Sequence, residues 1–374
     1  MSAQRFRPAW AEIDLEALRH NVGVVSAVVS GLPICAVVKA DGYGHGSVAV
    51  GRAALEAGAT SLAVALVEEG IVLREAGIEA PILLLSEPPR SAAGAVVASG
   101  LTPTLYTEDG IEAFASAARV AGVTLGVQLK VDTGMHRVGA DPVIAVALAR
   151  RIHDDPVLDL EAVWTHFAVA DDSSRREVTD GQRRRFDDAC VAIEKAGVPV
   201  LLRHAANAAG TLYEAAWYDL VRPGLAIYGY EPDPTGPIHD LRPVLSLKAE
   251  VTLAKELEAG ERVSYGLRYE LAERSVIATV PLGYADGVPR RLFEVGGEVL
   301  VGGLRRPIAG TVTMDQILVD CGPAAQVAPG DEVVLLGVQG RERITADEWA
   351  RRLGTISYEI LCGIGARVPR EYLG

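Results

Sequence analysis

The first two-thirds of the chain alternate short apolar runs with segments of helical periodicity. Eight apolar runs occur before residue 230, and segments such as VAVGRAALEAG between them repeat apolar residues at helical spacing. Apolar runs with little alternation are typical of strands buried on both faces of a parallel sheet. The runs lie at 34–39, 61–66, 81–86, 102–106, 123–132, 158–167, 198–207 and 219–229.

Eight strands that alternate with helices predict a (β/α)8 barrel, and a doubly wound open sheet is the second possibility. The Pro/Gly-rich stretch 231–237 ends this pattern. Alternating runs such as DEVVLLGV follow, separated by glycine and proline turns, and they predict an antiparallel β domain. One clear helix follows Thr345 as N-cap. The sequence therefore predicts an α/β chain, with a barrel domain at 1–240 and a mainly antiparallel β domain at 241–374.

Composition narrows the class of protein. The chain has 374 residues, 49% of them hydrophobic, and a net charge of −13. The negative charge argues against nucleic acid or an acidic membrane as partner. No apolar stretch is typical of a secretory leader or a bilayer span, so we expect a soluble cytoplasmic protein. The four cysteines are far apart and form no metal-site spacing, which suits reduced thiols.

Lysine is scarce, so its positions are informative. Only five of the 36 basic residues are lysine. Lys39 ends the apolar run ICAVV and precedes the glycine-rich segment GYGHG. Partial burial there would lower the pKa of the amine and favour the nucleophile that a Schiff base with an aldehyde cofactor requires. A lysine that reaches solvent from a strand end is the alternative, and position alone leaves both open.

Reactive groups of a parallel barrel collect at the carboxyl ends of its strands. His166 alone could be a buried structural histidine, and Tyr265 alone could be a packed tyrosine of the β domain. Walker, HExxH and GxSxG motifs are absent, which removes several enzyme classes. The strand ends carry Lys39, Lys130 with Asp132 and Arg137, His166, His204 with Asn207, and Arg222.

The segment AVVKADGYGHG at 36–46 resembles the cofactor-lysine motif of alanine racemases. Further motifs follow in the order of that family and extend over both predicted domains. The family's fold, a barrel followed by a β domain, agrees with the pattern above. These motifs are WAEIDLEALRHN (10–21), KVDTGMHRVG (130–139), THFAVAD (165–171), HAANAA (204–209), VRPGLAIYG (221–229), VSYG (263–266), GYADGVPR (283–290), MDQ (314–316) and YEILC (358–362).

The resemblance implies racemisation of alanine on pyridoxal phosphate. Lys39 would form the Schiff base with the cofactor and take the α-proton of D-alanine, and Tyr265 would take that of L-alanine. One base on each face suits a reaction that removes a proton on one side and returns it on the other. The family role implies D-alanine supply for peptidoglycan.

The remaining roles also come from the resemblance. Arg222 would face the pyridine nitrogen with His166 bonded behind it, and, as a poor proton donor, would leave that nitrogen unprotonated. Arg137 would contact the phenolic oxygen and the substrate carboxylate, supported by Lys130, which carries a carbamate in some relatives. Met314 would offer its amide to the carboxylate. The phosphate would be held by Tyr43, Tyr358, Asn207, Ala208, Gly224 and Leu225.

The family is dimeric, and Tyr265, Tyr284 and Met314 would enter the site from the partner subunit, with Asp315 supporting. Several residues depart from the family pattern. Ala208 lacks the serine hydroxyl of many relatives, Thr313 replaces a cysteine, and Leu267 and Arg268 replace a smaller pair beside Tyr265, where an arginine could alter the pKa of Tyr265 or narrow the entrance.

Three other functions remain as alternatives. An amino-acid decarboxylase on a related plan usually places an acid where Arg222 stands. A racemase of broader substrate range would differ in the size of its pocket. A non-catalytic pyridoxal-phosphate carrier would lack the C-terminal β domain.

Overall fold

The computed structural model describes residues 6–213, 217–233 and 236–374. The chain divides into two compact units. The barrel unit contains Leu18–Gly42 and Ser47–Arg242, and the β unit contains Tyr43–Gly46, Pro243–Gly374 and the described residues up to Ala17.

The barrel unit is built on seven parallel strands that are neighbours in chain order. Most residues of these strands are buried, which explains why their sequences are apolar with little alternation. The strands are Cys35–Val37, Ser61–Val64, Ile82–Leu84, Thr102–Leu105, Leu125–Lys130, Leu158–Trp164 and Arg203–His204.

An eighth segment, 219–223, closes this sheet into a barrel. On one side the Cys35 amide donates to the Val221 carbonyl at 2.8 Å, and the two segments run parallel. On the other side the Asp219 amide donates to the Arg203 carbonyl at 3.0 Å. The segment therefore hydrogen-bonds both edges, which confirms the barrel and excludes the open sheet.

Helices follow the strands, as a (β/α)8 barrel requires. Thr107 caps one of them by accepting from the Gly110 amide at 2.9 Å, and this helix ends at Gly122 with φ 68°. The helices are Leu15–Val28, Ser47–Glu56, Val67–Glu75, Ala93–Ala98, Glu108–Ala121, Pro142–Asp154, Arg176–Lys195 and Ala208–Leu212, with 3-10 turns at Arg90–Ala92, Ser173–Arg175 and Leu225–Tyr228.

The β unit is mainly antiparallel, as predicted, and it includes the first strand of the chain. Ala9–Asp14 pairs antiparallel with Leu245–Glu250 and parallel with Arg370–Leu373. The seven-stranded sheet also contains Glu298–Val301, Leu304–Pro307, Glu332–Gln339 and Glu342–Ile344; a second sheet has Leu253–Leu257, Ser275–Val280 and Ile317–Asp320, and a third Arg262–Val263 and Tyr269–Glu270.

Two helices lie in the β unit. Thr345 caps the first by accepting from the Glu348 amide at 3.1 Å, so the predicted N-cap is confirmed. No helix in the described ranges has both the length and the apolar character needed to cross a membrane. The helices are Ala346–Leu353 and Ser357–Cys362, with short 3-10 turns at Tyr265–Leu267, Tyr284–Asp286 and Arg290–Val295.

Candidate active site

The turn that follows Lys39 is left-handed. Over the next four residues φ lies between 50° and 62°, a conformation that costs about 1–2 kcal/mol for each residue other than glycine. Hydrogen bonds from outside the turn hold it. The Ser47 amide donates to Asp41 Oδ1 at 2.8 Å, and the Ala40 amide donates to Glu69 Oε1 at 2.6 Å. These hydrogen bonds hold the strained backbone directly beside Lys39, which is half-buried.

Trp164 lies at the centre of a group of cationic and aromatic side chains. Its ring centre is 4.4 Å from the Lys130 Nζ and 4.5 Å from the Arg222 Cζ. The His204 ring stacks against the indole, with centroids 5.5 Å apart and planes 11° from parallel. A desolvated cation near an indole is attracted by the ring quadrupole. Trp164 therefore connects the ends of three barrel strands.

Lys130 is buried, and its surroundings, burial foremost, lower the pKa of its amine to about 7. The positive charges of Arg222, Arg137 and Lys39 contribute to this lowered pKa, and Asp132 opposes them. Near neutral pH a large fraction of Lys130 is therefore an uncharged amine.

Arg222 is buried and surrounded by uncharged acceptors. Its Nη1 donates to His204 Nδ1 at 2.5 Å, and its Nη2 donates to the carbonyls of Thr165 at 2.9 Å and Ala205 at 3.1 Å. Burial lowers the pKa of the guanidinium to about 10. Within the described residues Arg222 forms no ion pair with a carboxylate, so it is a buried cation with capacity for an electron-rich ligand.

His166 also hydrogen-bonds Arg222, at a longer distance than His204 does. Its Nδ1 lies 3.4 Å from Arg222 Nη2, whereas His204 is at 2.5 Å. Burial, and then the charges of Arg222 and Lys130, hold the pKa of His166 well below its usual range. His204 is therefore the closer partner of Arg222; the sequence marked it as a strand end but assigned it no role.

Asn207 connects His166 to a helix. Its Nδ2 lies 3.4 Å from His166 Nε2, and its Oδ1 caps the helix Ala208–Leu212 by accepting from the Gly210 amide at 2.9 Å. Ala208 is buried at the first position of this helix.

Gly224 precedes the buried 3-10 turn Leu225–Tyr228. This turn begins three residues after Arg222, so backbone amides and the guanidinium come from one short segment. The arrangement is compatible with the binding role expected of Gly224 and Leu225, which stays a prediction.

The loop after Lys130 carries Arg137. Burial would raise the pKa of Asp132, but backbone amides of this loop, Gly134 and His136 among them, hold that pKa below its usual value. These amides donate to Asp132 Oδ1 at 3.0 Å. Arg137 itself is exposed, and its charge acts on Lys130.

Tyr43 and Tyr358 lie together in the β unit. Their ring centroids are 6.0 Å apart. Tyr43 is buried, and burial, then Tyr358 and Cys362, raise the pKa of its phenol above the usual range, so it remains a neutral hydrogen-bond donor.

Tyr265 lies in a strained loop of the β unit. Ser264 and Leu267 have φ of 65° and 48°. The Ser264 hydroxyl donates to the Thr311 carbonyl at 2.7 Å, and the Thr311 hydroxyl donates to the Tyr265 carbonyl at 3.1 Å. The backbone is thus held rigidly while the Tyr265 side chain is 73% exposed in the single chain.

Met314 and Tyr284 lie on adjoining turns. The Tyr284 amide donates to the Thr313 carbonyl at 2.9 Å, and the Ala285 amide donates to the Met314 carbonyl at 3.1 Å. Both side chains are exposed, Met314 at 51% and Tyr284 at 42%. Asp315 forms an ion pair with Arg367 at 2.7 Å. Three large side chains named by the resemblance are therefore exposed on the β unit.

Arg268 is held by neighbours other than Tyr265. Its Nη1 donates to Glu294 Oε1 at 2.8 Å, and its guanidinium lies 5.6 Å from the Phe293 ring centre. This side chain is thus partly neutralised by an acid.

The fold and site define a (β/α)8 barrel chain with a strand-end lysine, a buried arginine that has no acidic partner among the described residues, and a second, antiparallel unit. Residues 13–232 match the family model for the alanine racemase N-terminal domain, and residues 244–372 match that for the C-terminal domain. The chain therefore belongs to the alanine racemase family.

Individual relatives agree over the full length. An alanine racemase of Symbiobacterium thermophilum is 46% identical, with 100% of this chain and 99% of the relative covered. The solved alanine racemase of Streptomyces coelicolor superposes with a TM-score of 0.92 at 40% identity, covering 98% of each chain. That of Bacillus anthracis with bound L-Ala-P has a TM-score of 0.92 at 38% identity, covering 100% of this chain and 96% of that one.

Proposed function

We propose that this chain is an isomerase that interconverts L-alanine and D-alanine with pyridoxal phosphate. One observation supports this most directly: Arg222 is a buried cation whose partners among the described residues are uncharged acceptors. An amino-acid decarboxylase on this plan would instead need an acid at this position. Relatives that match along the entire chain are named alanine racemases.

The chemistry of the donors suits the cofactor. Lys39 supplies an amine for its aldehyde, and Arg222 supplies a permanent hydrogen-bond donor for its ring nitrogen. Arg222 and Arg137 add positive charge in the same region as Lys39, which favours an anionic ligand. Phosphate and phenolate groups meet this requirement.

When bound, pyridoxal phosphate withdraws electrons from the amino acid and lowers the cost of removing its α-proton. Lys39 then removes or returns that proton on one face. Tyr265 does the same on the other face. Lys39 removes the α-proton of D-alanine, and Tyr265 removes that of L-alanine. Each turnover therefore removes one proton from the α-carbon and adds another.

Arg222 limits side reactions. A guanidinium stays charged and donates hydrogen bonds but gives up a proton reluctantly. His204 and His166 accept from it as neutral rings, because burial and the charge of Arg222 lower the pKa of both. Arg222 would therefore give the ring nitrogen of the cofactor a hydrogen bond and no proton, which would favour rapid return of the α-proton.

The phosphate is assigned to backbone and phenol donors. Tyr43 and Tyr358 donate through their hydroxyls. Ala208 contributes its backbone amide, because it has no hydroxyl. Asn207, Gly224 and Leu225 complete the set.

The substrate carboxylate is assigned to Arg137 and to the backbone amide of Met314. A carbamate on Lys130 would place a negative charge beside Arg137 and fix its orientation. Tyr284 and Asp315 shape the surroundings of Met314.

The enzyme acts as a homodimer with shared sites. The exposure of Tyr265, Met314 and Tyr284 in the single chain supports this, because large apolar side chains in one region usually have a partner. Their role would be to complete the site of the other subunit. Its product, D-alanine, would supply peptidoglycan synthesis in the cytoplasm.

Chiral chromatography of alanine after incubation with cofactor-loaded protein tests the proposal. L-Alanine should convert to an equal mixture with D-alanine, and D-alanine should converge on the same mixture. Lys39→Ala is the control that should abolish both conversions. Absence of D-alanine from cofactor-loaded wild-type protein would refute alanine as the substrate.

A further inference from the structure

A polar chain leads away from Arg222 through the barrel. Arg222 Nη1 is 2.5 Å from His204 Nδ1, and His204 Nε2 is 2.9 Å from Gln128 Oε1. Burial raises the pKa of Glu161, and the neighbouring Gln128 side chain opposes this shift by interacting with the carboxylate. Four side chains from four barrel segments thus form one connected relay, defined here as Arg222, His204, Gln128 and Glu161.

The direction of every hydrogen bond in this relay is fixed by chemistry. A guanidinium can only donate, so His204 Nδ1 must accept. His204 is neutral, because burial and the charge of Arg222 lower its pKa well below the usual range. Its single proton is therefore on Nε2 and is donated to Gln128 Oε1. The Gln128 amide group is then the donor that is left to face Glu161.

The backbone is shaped to admit Glu161. The register between Leu125–Lys130 and Leu158–Trp164 shifts at this point, because Val127 pairs with Leu160 whereas Gln128 pairs with Ala162. Glu161 is the extra residue of this irregularity, and such bulges redirect side chains.

Gly126 provides the space beside it. A Cβ atom at Gly126 would collide with Glu161 Oε1, so any larger residue would displace the carboxylate. The bulge and Gly126 together therefore create a specific position for the Glu161 carboxylate.

Glu161 is the acid of this relay, and two side chains, those of His204 and Gln128, separate it from Arg222. Arg222 contacts no carboxylate within the described residues, and its direct partners are uncharged. The stacked ring of Trp164 holds the plane of His204. Glu161 is half-buried, and its charge can therefore polarise the chain with little screening by solvent.

We propose that Glu161 is a positioning residue, which acts through Gln128 and His204 to keep the Nδ1 lone pair on Arg222 and so fixes the guanidinium that faces the cofactor ring. The part about the cofactor depends on the proposed function. The part about His204 does not, because the relay belongs to the protein alone.

The first measurement is the ¹⁵N NMR spectrum of histidine-labelled protein without cofactor. His204 is assigned by the loss of its signals in His204→Gln. We expect an unprotonated Nδ1 and a protonated Nε2. A protonated Nδ1 would overturn the proposal, and this measurement needs no variant of the relay to fold.

The second measurement compares Glu161→Gln with Asp159→Asn, which removes an exposed acid from the same strand. Glu161→Gln keeps the shape and an acceptor oxygen but removes the charge. We expect kcat to fall about tenfold with KM for alanine unchanged, and the absorption band of the bound cofactor to shift. Asp159→Asn should change neither.

Glu161→Asp serves as the rescue variant and should recover part of the lost kcat. Equal kcat and equal spectra for Glu161→Gln and Asp159→Asn would overturn the proposal. If wild-type protein shows the expected His204 tautomer and the spectral shift but no racemisation, the proposed function fails and the relay remains.

Discussion

The Nζ atom of Lys130 lies 4.4 Å from the centre of the Trp164 ring, in a buried position that also receives positive charge from Arg222. A lysine in such surroundings is a poor cation. Its lowered pKa leaves a nucleophilic amine, and the nearby guanidinium groups favour any negative charge placed on it.

Lys130 is expected to form a carbamate with carbon dioxide. The amine nitrogen bonds to carbon and one proton is released, so the product is favoured above the amine pKa of about 7 and is lost as pH falls below it. Protein equilibrated with ¹³C-labelled bicarbonate should show a carbamate carbon signal at about pH 8 that is absent at about pH 6.

Lys130→Arg should lack this signal, and Lys195→Arg, at an exposed position, should retain it. A spectrum without the signal in wild-type protein at the higher pH would show that Lys130 acts as a free amine.

Removing the Tyr265 hydroxyl should separate the two faces of the reaction. Tyr265→Phe should lower L-to-D turnover about a thousandfold, the typical contribution of a general base, with cofactor binding retained. In deuterium oxide Lys39 should still exchange the α-proton of D-alanine. Chiral chromatography with mass spectrometry measures both.

Tyr269→Phe is the matched control. Tyr269 lies in the same region, but its hydroxyl donates to Asp320 at 2.8 Å and has no assigned role. Turnover of Tyr269→Phe should stay near wild type. Equal turnover of the two variants would remove Tyr265 from the mechanism.

Mixing inactive variants should restore activity if sites are shared between subunits. Lys39→Ala and Tyr265→Phe, after subunit exchange, should give about a quarter of wild-type turnover, because half of the dimers are mixed and each mixed dimer has one intact site. Each variant exchanged with itself is the control. Persistent inactivity in a mixture that contains heterodimers would mean that Lys39 and Tyr265 act within one chain.

The loop that carries Tyr265 should be sensitive to Gly310. A Cβ atom there would lie 2.7 Å from Ser264 Cβ, in a residue with φ of 84°. Gly310→Ala should lower the free energy of unfolding by about 3 kcal/mol, from strain and overpacking together, and should also reduce turnover.

Gly260→Ala isolates the contribution of φ. Gly260 has φ of 82°, and a Cβ atom there would meet no atom of the described residues within 4 Å. We therefore expect a loss of about 1 kcal/mol in urea unfolding and normal turnover. A Gly310→Ala loss no larger than that of Gly260→Ala would show that the contact with Ser264 relaxes without cost.

The apolar pattern predicted the barrel well because burial on both faces leaves a local signature. The run 34–39 contains the strand Cys35–Val37, and the run 219–229 contains the segment that closes the barrel. The β strand Ala9–Asp14 was not predicted, since its partners Leu245–Glu250 and Arg370–Leu373 are hundreds of residues away. Strand pairing between residues so far apart in sequence leaves no signal in the residue pattern of a short segment.

Site residues were predicted unevenly for similar reasons. Lys39 was marked by its position and by the scarcity of lysine. The left-handed turn after it was not, because Ala40 and Asp41 rarely adopt positive φ and only outside contacts from Ser47 and Glu69 hold them there. His204 lacked a role in the sequence because its contact with Arg222 exists only in three dimensions.

The positive charges of Lys39, Arg137 and Arg222, which all act on Lys130, also bear on how long an unloaded chain survives. Like charges repel one another, and an anionic ligand that binds only the folded state stabilises it by mass action. We therefore expect chains without the bound ligand to unfold more often and to be degraded by proteases first. Supply of such a ligand would thus set the amount of this protein as well as its activity.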